Sequence, residues 1–278
     1  MITTDWHIHS RNSCDSACMT VSDLVSGAEQ KGILNFGLTD HVHTPYNLAD
    51  IAKSRKEYLD NKKSENFHFG VEVSCVSKWE LDEIASGNFE DPVYGIRSGG
   101  RAWCDLTIGL TPEDIEKYQI EYVIAGTHWP MYIPLEREAV IRDYHRQNMF
   151  LAAHPLVNIV AHPWWWMGHW MDENGKYLTK PWFDDFNVIP KSMHQEFTAA
   201  VFENNTAVEI NILMMLFNPS YPERFALQYL EYLAELQSQG ICLSIGSDCH
   251  AGQYDVDFEQ AGQMLKRAGI KDNFWCID

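Results

Sequence analysis

Short apolar stretches recur along the whole sequence, and most of them carry a histidine or a carboxylate at or near their end. Their length and their content of β-branched and aromatic residues predict buried β-strands. Segments with helical spacing of apolar residues lie between them. This alternation constrains the fold strongly, because strands separated by helices favour parallel β/α units. The predicted strands are 5–10, 35–41, 68–76, 122–128, 158–163, 207–212 and 242–248.

The predicted helices carry recognisable start and stop signals. Thr20–Lys31 has apolar residues at helical spacing and is followed by Gly32, a typical stop. A shorter helix opens at Thr111, where a threonine cap is followed by a proline and an acid in the first turn. The remaining predicted helices are 48–63, 136–154, 191–204, 222–239 and 255–267.

The length of 278 residues is compatible with one large domain, since α/β barrels routinely reach this size. We therefore predict a single α/β domain over residues 1–278 with seven strand-helix units. Two segments interrupt the rhythm and are predicted to be insertions: 77–110, rich in glycine and proline, and 164–190, rich in aromatic residues. Long insertions of this kind tend to be lids or binding loops.

The formal net charge of -18 argues against a nucleic-acid polymer as the main partner, because such partners demand a basic face. No apolar run approaches the roughly 20 residues that cross a bilayer, and the polar N-terminal region is unlike a signal peptide. We therefore expect a cytoplasmic protein without membrane association. The seven cysteines show no C-x-x-C spacing and indicate neither a disulfide framework nor a zinc knuckle. The sequence leaves the oligomeric state open.

Histidines and carboxylates form a predicted metal-binding constellation. In an extended strand, Trp6 and Ile8 would alternate with His7 and His9, so both imidazoles would share one face. The C-terminal ends of barrel strands converge on one mouth. One zinc ion needs only three or four protein ligands, so we predict two or three divalent ions. The further candidates are His41, Glu72, His128, His162, Asp248 and His250, of which Glu72 can bridge two ions.

The chain resembles the PHP family, named for polymerase and histidinol phosphatase. The matching stretches, in the family's order, are DWHIHS (5–10), LTDH (38–41), GVEV (70–73), GTH (126–128), AHP (161–163) and GSDCH (246–250). The resemblance implies a distorted (β/α)7 barrel, similar to a TIM barrel, with a trinuclear metal site. It assigns His7, His9, Glu72 and Asp248 to a first ion, Glu72, His128 and His162 to a second, and Asp15, His41 and His250 to a third.

The expected ions are zinc, manganese or iron. Asp15 stands where many members of the family have histidine, and an oxygen ligand favours manganese or iron somewhat over zinc. Clustered divalent ions lower the pKa of bound water and neutralise a phosphoryl oxygen, which suits phosphate ester hydrolysis. The resemblance implies a histidinol-phosphatase-like phosphomonoesterase that acts on a small phosphorylated metabolite through a metal-bridging hydroxide.

Two residues are candidates for proton transfer. Asp248, or a histidine near it, could orient the hydroxide and later protonate the leaving oxygen. His43 follows His41 by two positions and could contact the phosphate or protonate the leaving group. The alternative for His43 is a solvated loop histidine.

Aromatic and basic residues near the predicted mouth are candidates for substrate binding. Trp129 directly follows His128, and Trp164 follows closely after His162, so both could border the mouth and stack on a substrate ring. The alternative is that they pack an insertion onto the barrel rim. Arg97 and Arg101 could bind phosphate through their guanidinium groups, although ordinary surface positions are the alternative.

Three other functions are compatible with parts of this pattern. A phosphodiesterase or cyclic-phosphate hydrolase could use the same trinuclear site, with the aromatic loops holding a base or sugar. A non-catalytic metal-binding module is a second alternative, although the set of ligand types is complete. An amidohydrolase also begins with His-x-His, but that family usually bridges its metals with a modified lysine where Glu72 stands here.

Overall fold

The computed structural model describes residues 2–15, 17–89, 92–166, 182 and 184–277. Its strands are β1 (Thr4–Asp5), β2 (Asn35–Leu38), β3 (His41–Val42), β4 (Phe67–Ser77), β5 (Leu106–Ile108), β6 (Tyr122–Gly126), β7 (Ile159–Ala161), β8 (Ala207–Asn211) and β9 (Leu243–Gly246). Its α-helices are α1 (Val21–Lys31), α2 (Leu48–Asn61), α3 (Lys78–Ala85), α4 (Pro112–Tyr118), α5 (Arg137–Ala152), α6 (Lys191–Glu203), α7 (Glu223–Ser238) and α8 (Phe258–Arg267).

Seven parallel strands of the described chain form the wall of a barrel, in the order β1, β2, β4, β6, β7, β8, β9. The first and last strands approach each other and close the wall. Trp6 N–H donates to the carbonyl of Ile245 at 2.8 Å, and Asp248 N–H donates to the carbonyl of His7 at 2.7 Å. The prediction of a distorted (β/α)7 barrel is confirmed.

The helices form where the sequence signals predict them. Thr20 caps α1 by accepting a hydrogen bond from Asp23 N–H, and Gly32 ends the helix with a φ of 72°. Thr111 and Asp114 form a reciprocal capping box at the start of α4. The apolar faces of the helices pack against the barrel wall and form the main core. Within the described residues, no helix combines the length and apolar character needed to span a bilayer.

The first predicted insertion contains more regular structure than a loop. Ser77 and Glu80 form a capping box that begins α3. β5 then pairs antiparallel with the end of β4, with Cys75 opposite Ile108. The end of β4 therefore continues past the barrel wall and pairs there with β5. The second predicted insertion, 164–190, lies largely outside the described residues.

A second, smaller core closes the interior of the barrel at the N-terminal ends of the strands. We call it the floor; it consists of Trp6, Tyr122, Ile124, Ile159 and Ala207, with Trp275 and Ile277 packed against it. The other end of the interior, at the C-terminal ends of the strands, is the mouth.

The predicted alternation over residues 5–10 is not kept. The regular strand β1 ends at Asp5, and Trp6 packs in the floor whereas Ile8 packs in the main core. The side chains of Trp6 and His7 both contact residues of the barrel interior, Tyr122 and Glu72 respectively. The predicted proximity of His7 and His9 is nevertheless observed, with their Nε2 atoms 2.9 Å apart.

Candidate metal centre

Glu72 lies at the centre of the predicted constellation. Its side chain is buried on β4, and its two oxygens face different sets of histidines. Oε1 lies 3.1 Å from His128 Nε2 and 2.9 Å from His162 Nε2. Oε2 lies 3.0 Å from both His7 Nε2 and His41 Nδ1. One carboxylate thus joins four imidazoles that come from four separate segments of the chain.

Three overlapping groups of potential ligand atoms surround this carboxylate, and within each group the atoms lie within 4.8 Å of one another. The groups contain every predicted ligand except His162, whose Nε2 lies 2.9 Å from Glu72 Oε1 but which belongs to none of them. Asp15 joins them from the loop after β1, with Oδ2 3.1 Å from His41 Nε2 and also paired with His250 Nε2. The groups are His7, His9, Glu72 and Asp248; His41, Glu72 and His128; and His9, Asp15, His41 and His250.

The backbone at the mouth adopts unusual conformations that aim these side chains inward. His162 and Asp248 have positive φ angles of 27° and 58°, which are uncommon for residues with a side chain and tend to cluster at functional sites. Gly126 ends β6 beneath two of the imidazoles. A Cβ there would lie 2.5 Å from His162 Cε1 and 3.0 Å from His128 Cε1, so only glycine permits their close approach.

The carboxylates of the cluster stay ionised although they are buried. Burial alone raises the pKa of Glu72, but His41 and His7 hold it well below its usual value. Burial is outweighed in the same way at Asp248, mainly by His7, and at Asp15, mainly by His41, so the pKa of each carboxyl is lowered. The negative charge of these groups requires a compensating positive charge inside the cluster.

The pKa values of His41 and His128 shift in opposite directions. Burial lowers the pKa of His41, but Glu72 and Asp15 outweigh it and raise that pKa to about 10. Burial dominates at His128 and lowers its pKa to about 4. Positive charge is thus favoured on His41, between Glu72 and Asp15, and a divalent cation would supply the same charge.

The residues present fit bound divalent ions. Two imidazole nitrogens that lie 2.9 Å apart, His7 Nε2 and His9 Nε2, have facing lone pairs unless a proton or a cation lies between them. Asp248 Oδ1 and Asp15 Oδ1 are buried and accept no hydrogen bond from the part of the chain that the structure describes. Mixed nitrogen and oxygen ligands of this kind suit zinc, manganese or iron.

A family model described as PHP domain matches residues 5–268 of the sequence. The chain belongs to the PHP domain family. A search of curated proteins found no match to the sequence. A crystal structure of a candidate histidinol phosphatase, hisK from Listeria monocytogenes, aligns over 93% of this chain and 99% of that chain, with a TM-score of 0.57 and 11% identity. At this identity, the similarity supports the fold alone.

Two further solved structures align with lower scores. An archaeal ribonuclease P with mature tRNA aligns over 95% of this chain and 87% of that chain, with 10% identity and a TM-score of 0.44. A Xaa-Pro dipeptidase with bound methionine aligns over 96% of this chain and 60% of that chain, with 14% identity and a TM-score of 0.37. These scores are too low to support an inference.

His43 of this PHP domain lies against the cluster and is buried, so it is not a solvated loop residue. Its ring stacks on that of His41, with centroids 4.4 Å apart. Ser74 Oγ lies 2.6 Å from His43 Nδ1 and 2.8 Å from His128 Nδ1. Burial lowers the pKa of His43 well below its usual value, and the neighbouring His41 and His128 lower it further. Burial thus disfavours the charged form of His43, and the hydrogen bond with Ser74 fixes the orientation of its ring.

Trp129 and Arg97 lie together beside His43. The rings of Trp129 and His43 are 5.2 Å apart, and the Arg97 guanidinium lies 3.5 Å from the centroid of the Trp129 ring. Arg97 Nη2 also donates to Glu80 Oε1 at 2.9 Å, so a buried carboxylate holds the guanidinium in place. Arg101 is exposed, and no hydrogen bond, ion pair or ring contact with the described residues holds it in place. The structure thus supports a site-facing position for Trp129 and Arg97 but not for Arg101.

Trp164 does not border the cluster. Its side chain is fully buried and packs in the main core against Trp182 and His194. The backbone of Trp164 has a φ of 72°, and its side chain points into the main core instead of into the mouth. The next residue, Trp165, lies 5.1 Å from the ring of His162 and 5.9 Å from that of His128. Trp165 therefore takes the position that the sequence suggested for Trp164.

Sequence reasoning missed three polar residues that contact the predicted ligands: Ser74, Glu209 and Asn211. All three are fully or almost fully buried. Period-2 alternation gave a usable signal, because Ser74 follows Glu72 by two positions, and Glu209 and Asn211 follow the floor residue Ala207 at the same spacing. Residues at this spacing share the face of the strand that points into the barrel.

Proposed function

We propose that this PHP domain is a metal-dependent phosphoesterase that hydrolyses a small phosphorylated metabolite, as histidinol phosphatases do. The observation that carries the proposal is the convergence of imidazoles and carboxylates at the mouth, in three overlapping groups whose ligand atoms lie within 4.8 Å of one another inside each group. Membership of the PHP family supports the same reaction class. The net charge of -18 disfavours a nucleic-acid polymer as the substrate.

The chain would hold two or three divalent ions with the ligand sets predicted from the sequence. Bound ions of this kind supply Lewis acidity and activate water for attack on phosphorus. Asp248 keeps its low pKa beside His7, so we assign it to ligation and to orienting the attacking water and not to proton donation.

His43 is the proposed hydrogen-bond donor to the substrate. Because its lowered pKa disfavours the charged ring, it would stabilise developing negative charge through an N–H hydrogen bond and not by giving up a proton. A histidine that binds a cation through Nε2 carries its hydrogen on Nδ1. In His128 this hydrogen would point to Ser74 Oγ, 2.8 Å away. The hydroxyl hydrogen of Ser74 would then be donated to His43 Nδ1, which leaves the hydrogen of His43 on Nε2. His43 would thus present an N–H group to a phosphate oxygen or to the leaving group.

Turnover assays on a panel of phosphate esters test the reaction class. Protein loaded with manganese, zinc or iron is expected to hydrolyse small monoesters, to lose activity on chelation, and to regain it when the metal is restored. Faster turnover of cyclic or linear diesters would favour the diesterase alternative, in which Trp129 and Trp165 could stack on a base. Turnover of amides or lactones but of no phosphate ester would contradict the proposal.

Two substitutions test the donor. We expect His43→Ala to lower kcat about 100-fold with unchanged metal content, because the loss of one preorganised hydrogen-bond donor to developing charge typically costs that much. Ser74→Ala should lower kcat in the same direction but less, because His43 remains while its tautomer is no longer fixed. Wild-type kcat in both variants would contradict the assigned role.

A further inference from the structure

Glu209 is a buried carboxylate on β8 that belongs to none of the three ligand groups. Its side chain is 1% exposed and lies below the mouth, between three segments that carry predicted ligands. These segments contain His7, His162 and Asp248, which lie far apart in the sequence. A buried carboxylate is costly unless it accepts hydrogen bonds, so the partners of Glu209 indicate what it does.

Both oxygens of Glu209 accept hydrogen bonds from ligand segments. Oε1 lies 2.6 Å from His7 Nδ1, on the side of the ring opposite the nitrogen that faces Glu72. Oε2 accepts the backbone N–H of His162 at 2.7 Å. The contact with His7 forces its hydrogen onto Nδ1 and leaves Nε2 as an acceptor directed at the cluster.

Asn211 extends this arrangement to the third segment. Its Nδ2 group donates to Glu209 Oε2 at 3.1 Å and to Asp248 Oδ2 at 2.9 Å. Asp248 Oδ1 is left facing the imidazoles of His7 and His9, at 3.4 Å and 3.3 Å. One oxygen of Asp248 is therefore held by the protein while the other is directed at the cluster.

The same contacts support backbone positions that are unfavourable in isolation. His162 and Asp248 both have positive φ, and such conformations persist when surrounding contacts fix them. Glu209 bonds to the amide of the first residue, and Asn211 bonds to the side chain of the second. Gly246 leaves the space that Glu209 needs, since a Cβ at this position would collide with Glu209 Oε1 and would lie 2.7 Å from His7 Cβ.

We propose that Glu209, together with Asn211, is a positioning residue that preorganises His7, His162 and Asp248 for metal binding. The inference rests on the metal centre of the proposed function and adds a determinant of its metal affinity. Carboxylate partners of metal-binding histidines fix the ring and raise the basicity of the ligating nitrogen. Here one carboxylate does so for His7, binds the His162 backbone directly, and reaches Asp248 through Asn211.

The hydrogen-bond pattern predicts that an amide cannot replace this carboxylate. All three partners of Glu209 are donors: His7 Nδ1–H, the backbone N–H of His162, and the amide of Asn211. A carboxylate accepts at both oxygens, whereas a glutamine side chain accepts at one oxygen and donates from its nitrogen. Either orientation of glutamine at position 209 would place a donor against a donor.

Metal affinity of the variant Glu209→Gln is the test. Metal-free wild type and variant are titrated with Mn²⁺ and Zn²⁺ against a chelating indicator, and folding is followed by circular dichroism. We expect the variant to bind about 10- to 100-fold more weakly. The exposed Glu231 on α7 offers the matched control, because Glu231→Gln makes the same chemical change far from any ligand group and should bind like the wild type.

Wild-type metal affinity in folded Glu209→Gln overturns the proposal, since a purely structural residue would lower the melting temperature and leave the affinity of folded protein unchanged. Should this variant not fold, Asn211→Ala takes its place, and wild-type affinity there has the same consequence. No phosphate ester is present in the titration. A wild type that binds metal but hydrolyses no phosphate ester would therefore reject the proposed function and leave this inference standing.

Discussion

The two ends of the barrel interior are built from opposite chemistries. At the floor, Trp6 and Tyr122 pack edge to face, and Trp275 covers them with its ring centroid 5.1 Å from that of Trp6. At the mouth, the same interior is lined by buried imidazoles and carboxylates around Glu72. Apolar burial stabilises a fold, whereas buried charges cost free energy unless they are paired. The comparison indicates that, within the barrel interior, the floor contributes to stability and the mouth carries the candidate metal centre.

A single strand shows the transition. In the parallel pairing of β4 with β6, Gly70 lies opposite Tyr122 of the floor, and Glu72 lies opposite Ile124. Ser74 follows two positions later and contacts His43 and His128 at the mouth. The interior face of β4 thus changes from apolar surroundings to the ligand cluster within about one pleat repeat. Substitutions at the two ends should consequently have separable effects.

The largest effect is expected from Glu72→Ala at the mouth. This change removes both oxygens that join the ligand groups, so metal content should fall and phosphoesterase activity should drop to the background rate. His162→Ala, which removes one ligand, should act in the same direction. Elemental analysis and turnover assays measure both effects, with Glu231→Ala on the exposed surface as the control. Full activity in either ligand variant would contradict the proposed ligand set.

A smaller and different effect is expected from Trp275→Ala at the floor. The ring is partly buried, so we expect the free energy of unfolding to fall by about 2 kcal/mol, below the cost for a fully buried tryptophan. The metal affinity and kcat of the folded protein should stay at wild-type values. Urea unfolding and steady-state kinetics measure the two quantities.

Trp103 provides the matched control for this substitution, because its side chain is 49% exposed. Trp103→Ala should change the free energy of unfolding little. A lower kcat in Trp275→Ala protein that is fully folded would show that the floor and the mouth are coupled. The two ends of the barrel interior would then not have separable effects.

The smallest effect is expected from Glu121→Gln, beside the floor. Burial raises the pKa of Glu121, but hydrogen bonds from His68, Phe69 N–H and Tyr58 outweigh it and lower the pKa to about 2. A lowered pKa in the folded state stabilises the fold above the unfolded value of 4.5, and this stabilisation is lost as pH falls towards 2.

The full shift at Glu121 corresponds to about 3 kcal/mol, and solvent screening of a side chain that is 32% exposed reduces this to about 1 kcal/mol. Unfolding measured between pH 7 and pH 2 should therefore show a shallower acid loss of stability in Glu121→Gln than in the wild type. Parallel curves for the two proteins would show that this carboxylate does not contribute to acid unfolding.

The sequence predicted the helices and the convergence of the candidate ligands for identifiable physical reasons. The cap at Thr20 and the stop at Gly32 are local signals, and the structure shows both. The ligand motifs stand at strand ends, and parallel strands bring their C-terminal ends together whatever the sequence between them. Periodicity and local motifs therefore sufficed to predict that His7, Glu72 and Asp248 meet.

Features that depend on distant partners were not predicted. The antiparallel pairing of β5 with β4 joins segments whose local patterns do not specify each other. Trp164 follows the ligand segment in sequence, yet the positive φ at this residue directs its side chain into the core. Glu209 has a clear position on the interior face, but only the folded structure shows that its three donors come from separate segments.

The covering of the floor also determines where the chain segments before and after the barrel lie. Trp6 Nε1 donates to the carbonyl of Trp275 at 2.9 Å, so the described segments at the two ends of the chain meet under the barrel, opposite the mouth. An affinity tag, a fusion partner or a surface tether attached beside either segment would emerge on that side. In immobilised protein, the mouth would then face the solution and its dissolved compounds.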